Sequence, residues 1–300
     1  LAVAGIPFVR ELDYKYGEIA RVSPRIRRVI AENPGPFTYL GTGVYIIGNG
    51  EVAVIDPGPI IDAHFEALKR ALDGERVTHV FTTHTHLDHS PLAHPLAEWA
   101  GAKVYGRPDP NLAHAEVPLE EGDESGFRPD VLVSDGEEFS GPDWTLEAIT
   151  TPGHMSNHVC YALKEENALF SGDHVMGWST TVISPPDGNM RQYFASLEKI
   201  RARRFAALWP THGPPVMDVA PFLDAYASHR RAREAAIVER MRVGDTLISD
   251  MVKVIYKDVD NRLHPAAAHS VLAHVIQLVE EGRAVADGPL TLSTHYRLAA

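Results

Sequence analysis

Apolar residues in this chain fall into short β-rich runs separated by stretches with helical spacing. Thr38 to Ile47 and Glu51 to Ile55 are two such runs, and Gly48-Asn49-Gly50 between them is a strong hairpin signal. Beyond Asp56-Pro57-Gly58, the residues Ile61, Phe65, Leu68 and Leu72 repeat at helical spacing, with Gly74 as a C-terminal stop. The run Val77 to Thr83 predicts the next strand. Ser90-Pro91 then supplies a cap and first turn for a helix that Gly101 closes. Lys103 to Tyr105 begins a further strand. Residues 106–130, rich in Pro, Gly and acidic side chains, read as a long surface loop, of a length often tied to function.

The second half repeats the design without repeating the sequence. Strands are predicted at Thr145 to Thr150, Asn157 to Leu163, Ala168 to Ser171 and Phe205 to Trp209. In the tail, helices are predicted over Ala220 to Met241, from Asp245-Thr246 onward, and over Pro265 to Glu281. Ala284 to Ala286 and Leu290 to Leu292 then flank Asp287-Gly288 as in a hairpin. Three helices and a hairpin resemble a winged helix. The chain therefore divides into an α/β domain over residues 1–220 and a small helical domain over 221–300.

The most informative chemistry follows the run Val77 to Thr83, where His84, His86, Asp88 and His89 read H-x-H-x-D-H. With 16 His and 19 Asp in 300 residues, roughly 0.003 such matches are expected by chance. Other candidate ligands also follow apolar runs: His154 in Thr151-Pro152-Gly153-His154, Asp173 in Ser171-Gly172-Asp173, and His212 in Pro210-Thr211-His212-Gly213. In layered α/β proteins, strand-end loops converge on one rim, where residues distant in sequence meet. Histidines joined by carboxylates suit zinc, and iron or manganese would also accept them.

Composition narrows the setting. At 44% apolar and 23% charged, the chain can bury a large core without covalent staples. Cys160 is the only cysteine, which excludes an intramolecular disulfide or a Cys-rich zinc site and suits a reducing cytosol; in Val159-Cys160-Tyr161 it reads as a buried strand thiol. No run approaches the roughly 20 apolar residues that span a bilayer, so a cytoplasmic protein without membrane contact is expected. The formal net charge of −12 argues against broad attraction to nucleic acid or anionic lipid. Residues 225–300 contain 10 Lys and Arg against 9 acidic residues, and the third helix has no Lys or Arg, so no DNA reading is expected. The tail is read instead as a substrate-pocket wall or a subunit interface, compatible with a homo-oligomer. Arg230, Arg231 and Arg233 are read as a solvated helix face, and His64, His94 and His229 as helix histidines at or near the surface.

Asp56 before Pro-Gly, the run His84 to His89, His154, Asp173 and His212 occur in the order of the five motifs of the metallo-β-lactamase superfamily of dinuclear zinc hydrolases, which residues 35–216 resemble. Asn33 to Thr38 and the helical tail look most like its β-lactamase-like protein 2 subgroup. The resemblance implies an αββα four-layer sandwich with the metals along one edge, followed by a small C-terminal winged-helix-like domain. It implies two divalent metal ions, zinc ahead of iron or manganese. His84, His86 and His154 would hold one and Asp88, His89 and His212 the other, with Asp173 bridging. Asp56 would steady the ligand-bearing loops, and His158 would either act from behind the ligands or touch the scissile group. A metal-bridging hydroxide would be the nucleophile, oriented by Asp88 as the catalytic carboxylate.

Departures from related patterns narrow the class. B1 lactamases carry Cys where this chain has Asp173, and B3 lactamases lack that bridge, which disfavours antibiotic cleavage. Flavodiiron proteins usually have Glu where His86 stands, which favours hydrolysis over electron transfer. Trp178, Thr180 and Thr181 are expected near the rim as an apolar wall with hydroxyl donors. The first substrate class is therefore an ester, thioester or lactone of a small molecule. Cleavage of single-stranded RNA is the alternative, and a glyoxalase II-like thioesterase or a non-catalytic binding module ranks below both.

Overall fold

The computed structural model describes residues 5–108, 122–124 and 126–299. One sheet has seven strands in spatial order β1 (Ala20–Arg21), β2 (Ile26–Ile30), β3 (Gly43–Ile47), β4 (Glu51–Ile55), β5 (Arg76–Phe81), β6 (Lys103–Gly106) and β7 (Val131–Leu132). Antiparallel pairing from β1 to β4 gives way to parallel pairing from β4 to β7. α1 (Asp62–Ala71) crosses from β4 to β5 and α2 (Ala93–Ala100) from β5 to β6, as parallel pairing requires.

A second sheet contains β8 (Glu138–Ser140), β9 (Thr145–Thr150), β10 (Val159–Leu163), β11 (Ala168–Gly172) and β12 (Ala207–Pro210). It is antiparallel up to β11; α3 (Met190–Arg203) then carries the chain to β12, which pairs in parallel. The tail comprises α4 (Val219–Arg242), α5 (Ile248–Ile255), α6 (His264–Glu280) and the hairpin β13 (Ala284–Ala286) with β14 (Tyr296–Leu298).

Alternation of side chains along the strands makes the layers. On β10, Val159, Tyr161 and Leu163 share a core with Tyr45, Ile55 and Phe81 of the first sheet. Cys160 and Ala162 face the other way and pack with Tyr193 and Leu197 of α3. Leu68 of α1 and Leu96 of α2 cover Val44, Ile46, Val54 and Val80 on the outer face of the first sheet. The result is the αββα sandwich expected, closed by a winged-helix module. One helix serves two cores: Phe222, Leu223 and Tyr226 of α4 pack on the second sheet's outer face, while Ile237 and Met241 join Met251, Val271 and Val275 in the module.

Three local expectations are corrected. The strand expected from Thr38 begins at Gly43, because Thr38 Oγ1 donates to Asn33 O at 2.6 Å and Tyr39 N to Gly35 O at 2.9 Å, tightening the segment into a turn. Ser90 does not cap α2: its hydroxyl donates to Glu124 Oε2 at 2.5 Å, and the helix starts at Ala93. The last hairpin pairs Ala284–Ala286 with Tyr296–Leu298 rather than with residues 290–292. Pro289 offers no N–H, and Tyr296 Oη donates to Thr291 O at 2.7 Å across a longer loop.

Leu197, fully buried between α3 and the second sheet, sets a test of this packing. Leu197→Ala should lower the unfolding free energy by about 3 kcal/mol in urea titrations. A change within about 0.5 kcal/mol, the surface norm, would contradict it.

Candidate metal centre

Every candidate ligand follows the end of a strand. His84, His86, Asp88 and His89 lie beyond β5, His154 beyond β9, Asp173 beyond β11 and His212 beyond β12. Two glycines aim these loops. Gly153 has φ +143°, and a Cβ there would sit 2.4 Å from Tyr193 Cα; Gly172 has φ +51°, and a Cβ there would meet His158 Nε2 at 2.6 Å. Only glycine fits both positions, and the next residues are His154 and Asp173.

The seven side chains converge in a buried cluster. His84 Nε2 lies 2.8 Å and His154 Nε2 3.3 Å from His86 Nδ1. His212 Nε2 lies 3.2 Å from His89 Nε2 and 3.0 Å from Asp88 Oδ2. Three trios have ligand atoms mutually within 4.8 Å: His84, His86 and His154; Asp88, His89 and His212; and His84, His89 and Asp173. Ligand atoms at ~2.1 Å from a tetrahedral ion are about 3.4 Å apart, so the spacing fits a metal. Asp173 Oδ1 adds a second indication: it is buried without a hydrogen-bond donor, 3.7 Å from His89 Nε2 and 3.5 Å from His212 Nε2. A buried carboxylate oxygen left this way is costly unless a cation meets it.

The opposite ring nitrogens are engaged so as to turn lone pairs inward. His84 Nδ1 lies 3.0 Å from Thr83 Oγ1, His154 Nδ1 2.8 Å from Val182 O, and His212 Nδ1 3.2 Å from Gly41 O. His89 Nδ1 lies 2.9 Å from Asp56 Oδ2. Asp56, fully buried, also accepts from Thr83 N at 2.7 Å, Thr83 Oγ1 at 2.8 Å and Thr211 Oγ1 at 2.7 Å. His158 lies behind the cluster: Asp173 N donates to its Nε2 at 3.2 Å, and its Nδ1 is 2.8 Å from Thr151 Oγ1. It is wholly buried and does not line the cavity.

Electrostatics sort the same residues. Burial, with the neighbouring imidazoles, pushes His84 well below the usual range and His86 to about 3, so both stay neutral. Burial also disfavours charge on His89 and Asp88, but their mutual attraction prevails, raising His89 and lowering Asp88. Cys160 is buried and pushed up to about 12, which makes it a core thiol and not a nucleophile.

A cavity of about 510 Å³ opens onto His86, Asp88, His154 and Asp173. Trp178, Thr180 and Thr181 line it, and Trp178 stacks on Tyr39 with ring centroids 4.7 Å apart. Thr181 gives its hydroxyl to Asp173 O at 2.8 Å and His174 O at 2.9 Å, so it braces a ligand loop. Described parts of the 106–130 loop clasp the motif: Leu87 N donates to Gly122 O at 3.0 Å and Thr85 Oγ1 to Asp123 Oδ1 at 2.8 Å. Residues 109–121 of that loop lie outside the described residues.

Two surface assignments are overturned. Arg230 is buried and lines the cavity with Arg233; only Arg231 of that trio is solvated, pairing with Glu198 at 3.0 Å. Their phase is the missed signal, because Arg230 stands four and Arg233 seven residues beyond Tyr226 on the buried stripe of α4. His64 is likewise buried, with Nε2 2.9 Å from Pro57 O.

Comparison with known proteins gives the class. The Metallo-beta-lactamase superfamily pattern matches residues 39–212 and the Beta-lactamase associated winged helix domain residues 248–289. The chain belongs to the metallo-beta-lactamase superfamily of metal-dependent hydrolases. It is 30% identical over 273 residues to the Beta-lactamase-like protein 2 homolog of Caenorhabditis elegans, covering 88% of this chain and 87% of that one. It is 29% identical over 278 residues to the atrochrysone carboxyl ACP thioesterase AgnL7 of Paecilomyces divaricatus, covering 88% and 83%. A beta-lactamase domain protein of Burkholderia ambifaria superposes with TM-score 0.78 at 22% identity, over 98% and 97% of the two chains. No helix among the described residues is long and apolar enough to cross a membrane.

Asp56→Asn should weaken metal retention about 10–100-fold in competition with a chelator; unchanged retention would contradict its place behind His89. A pH test comes from His274 of α6, which burial, then Arg230, pushes down to about 3. A lowered folded pKa means that its share of stability is present above pH ~6.5 and is lost as pH falls toward 3, by up to about 1.4 kcal/mol per unit. His274→Leu should flatten urea-measured stability between pH 6.5 and 4; an unchanged slope would refute the assignment.

Proposed function

We propose that this chain is a dinuclear zinc hydrolase that cleaves an ester, thioester or lactone of a small molecule, with a thioester ranked first. The observation that carries the reading is the orphaned Asp173 Oδ1 set between two histidine-rich trios beside a cavity of about 510 Å³. His84, His86 and His154 would hold one ion, Asp88, His89 and His212 the other, and Asp173 would bridge. When bound, such a pair acidifies a water and polarises a carbonyl. Thioester chemistry is favoured within the class because the Paecilomyces divaricatus relative is named an ACP thioesterase.

The chain's own residues then do three things. Asp88, which lines the cavity and is held ionised by His89 and His212, accepts a hydrogen bond from the attacking water and takes its proton. Asp56 and Val182 O fix the His89 and His154 rings, so the donor set is assembled before substrate arrives. Met176, Trp178 and Tyr39 form an apolar wall that packs the acyl part and excludes bulk water. RNA cleavage stands second, since the chain's net charge of −12 opposes a polyanionic substrate.

Asp88→Ala should reduce turnover of acyl thioesters at least about 100-fold with the fold intact by circular dichroism. Wild-type turnover in that variant, or a metal-loaded protein that cuts single-stranded RNA and no acyl ester, would overturn the reading.

A further inference from the structure

We propose that the cavity holds a second recognition site, in which Arg230 and Arg233 bind an anionic group, a carboxylate or a phosphate, on a part of the substrate other than the scissile bond. The proposal rests on the hydrolase reading for the identity of that substrate. Arg230 is buried; its guanidinium lies 5.0 Å over the Tyr193 ring and 5.9 Å over Tyr226, and it donates to Thr181 O. Arg233 lies 4.5 Å over Tyr256 and donates to Ile255 O at 3.0 Å. The Nε groups of both are buried and unpartnered, and no carboxylate among the described residues pairs with either, although their neighbour Arg231 pairs with Glu198 at 3.0 Å.

A buried guanidinium and a half-buried one beside it, stacked on tyrosines and lacking an anion, are costly for the free protein and ready for one. Three residues apart on α4, they share one helix face, and the flat fork of each matches an oxyanion bidentately. The site belongs to the same cavity as the metal centre. Thr181 links the two, donating to Asp173 O at 2.8 Å and accepting from Arg230. Both groups line the same cavity, and Arg230 is buried at its wall, which suits a small anion that enters the cavity over strand phosphates running along the surface.

The test uses the metal-loaded protein and three probes: neutral butyryl-N-acetylcysteamine thioester, its glutaryl analogue with a terminal carboxylate, and butyryl-4′-phosphopantetheine with a phosphate on the thiol side. One charged probe should exceed the neutral one at least about tenfold in kcat/KM, as one charge-assisted hydrogen bond allows. Which one does so identifies the source of the anion. Arg233→Gln should abolish that preference through KM. Arg233→Lys should restore part of it, and Arg231→Gln, an equal loss of charge at an exposed position, should change nothing. Calorimetric binding of uncleavable thioether analogues reads the site independently of turnover. Charged analogues that bind with Arg233-dependent affinity but whose thioesters are not hydrolysed would fault the hydrolase reading and leave the anion site standing. Equal affinity of wild type and Arg233→Gln for both charged analogues, or loss of affinity only for single-stranded RNA, would overturn the site.

Discussion

The buried carboxylate of Asp56 is the interaction on which the rest of the centre depends. It has no access to water, yet accepts four hydrogen bonds, from Thr83 N, Thr83 Oγ1, His89 Nδ1 and Thr211 Oγ1. A charge so placed is tolerable only when fully satisfied, and losing any donor leaves a costly group. The constraint ties the loops after β4, β5 and β12 into one unit. Because β4 and β5 are parallel neighbours while β12 lies in the other sheet, Asp56 also pins the two sheets together at the edge where the candidate ligands emerge.

Around that anchor the molecule divides its labour. Rigid strands deliver the candidate ligands, and helices and the N-terminal segment build the wall facing them. Phe8 packs edge-on against Phe222 of α4 at 6.5 Å, and both Phe8 and α4 line the cavity or its support. The long α4 belongs to the sandwich core at one end and to the winged-helix core at the other, so the tail contributes to the cavity through Arg233, Tyr256 and Ser270. In this fold the winged-helix module acts as a wall of the site.

Much of the centre was legible because its signals are local. H-x-H-x-D-H needs only six consecutive residues, and the strand-ending positions of His154, Asp173 and His212 follow from short apolar runs. The role of Asp56 came only with the family resemblance, since its bond to Thr211 spans 155 positions. Arg230 and Arg233 were misjudged because charge outweighed helical phase. Leu290 and Leu292 imitate a strand by alternation yet are exposed, whereas Tyr296 is wholly buried and sets the true register. Short-range pattern located the elements, and contacts between distant segments decided which of them face the cavity.

The most direct test of the central claim is the number of metal ions held by each chain, measured by elemental analysis after dialysis against zinc and then against metal-free buffer. The account predicts two zinc ions per wild-type chain and at most one in Asp173→Ala. A folded wild-type protein that retains fewer than two, or an Asp173→Ala variant that still retains two, would contradict it.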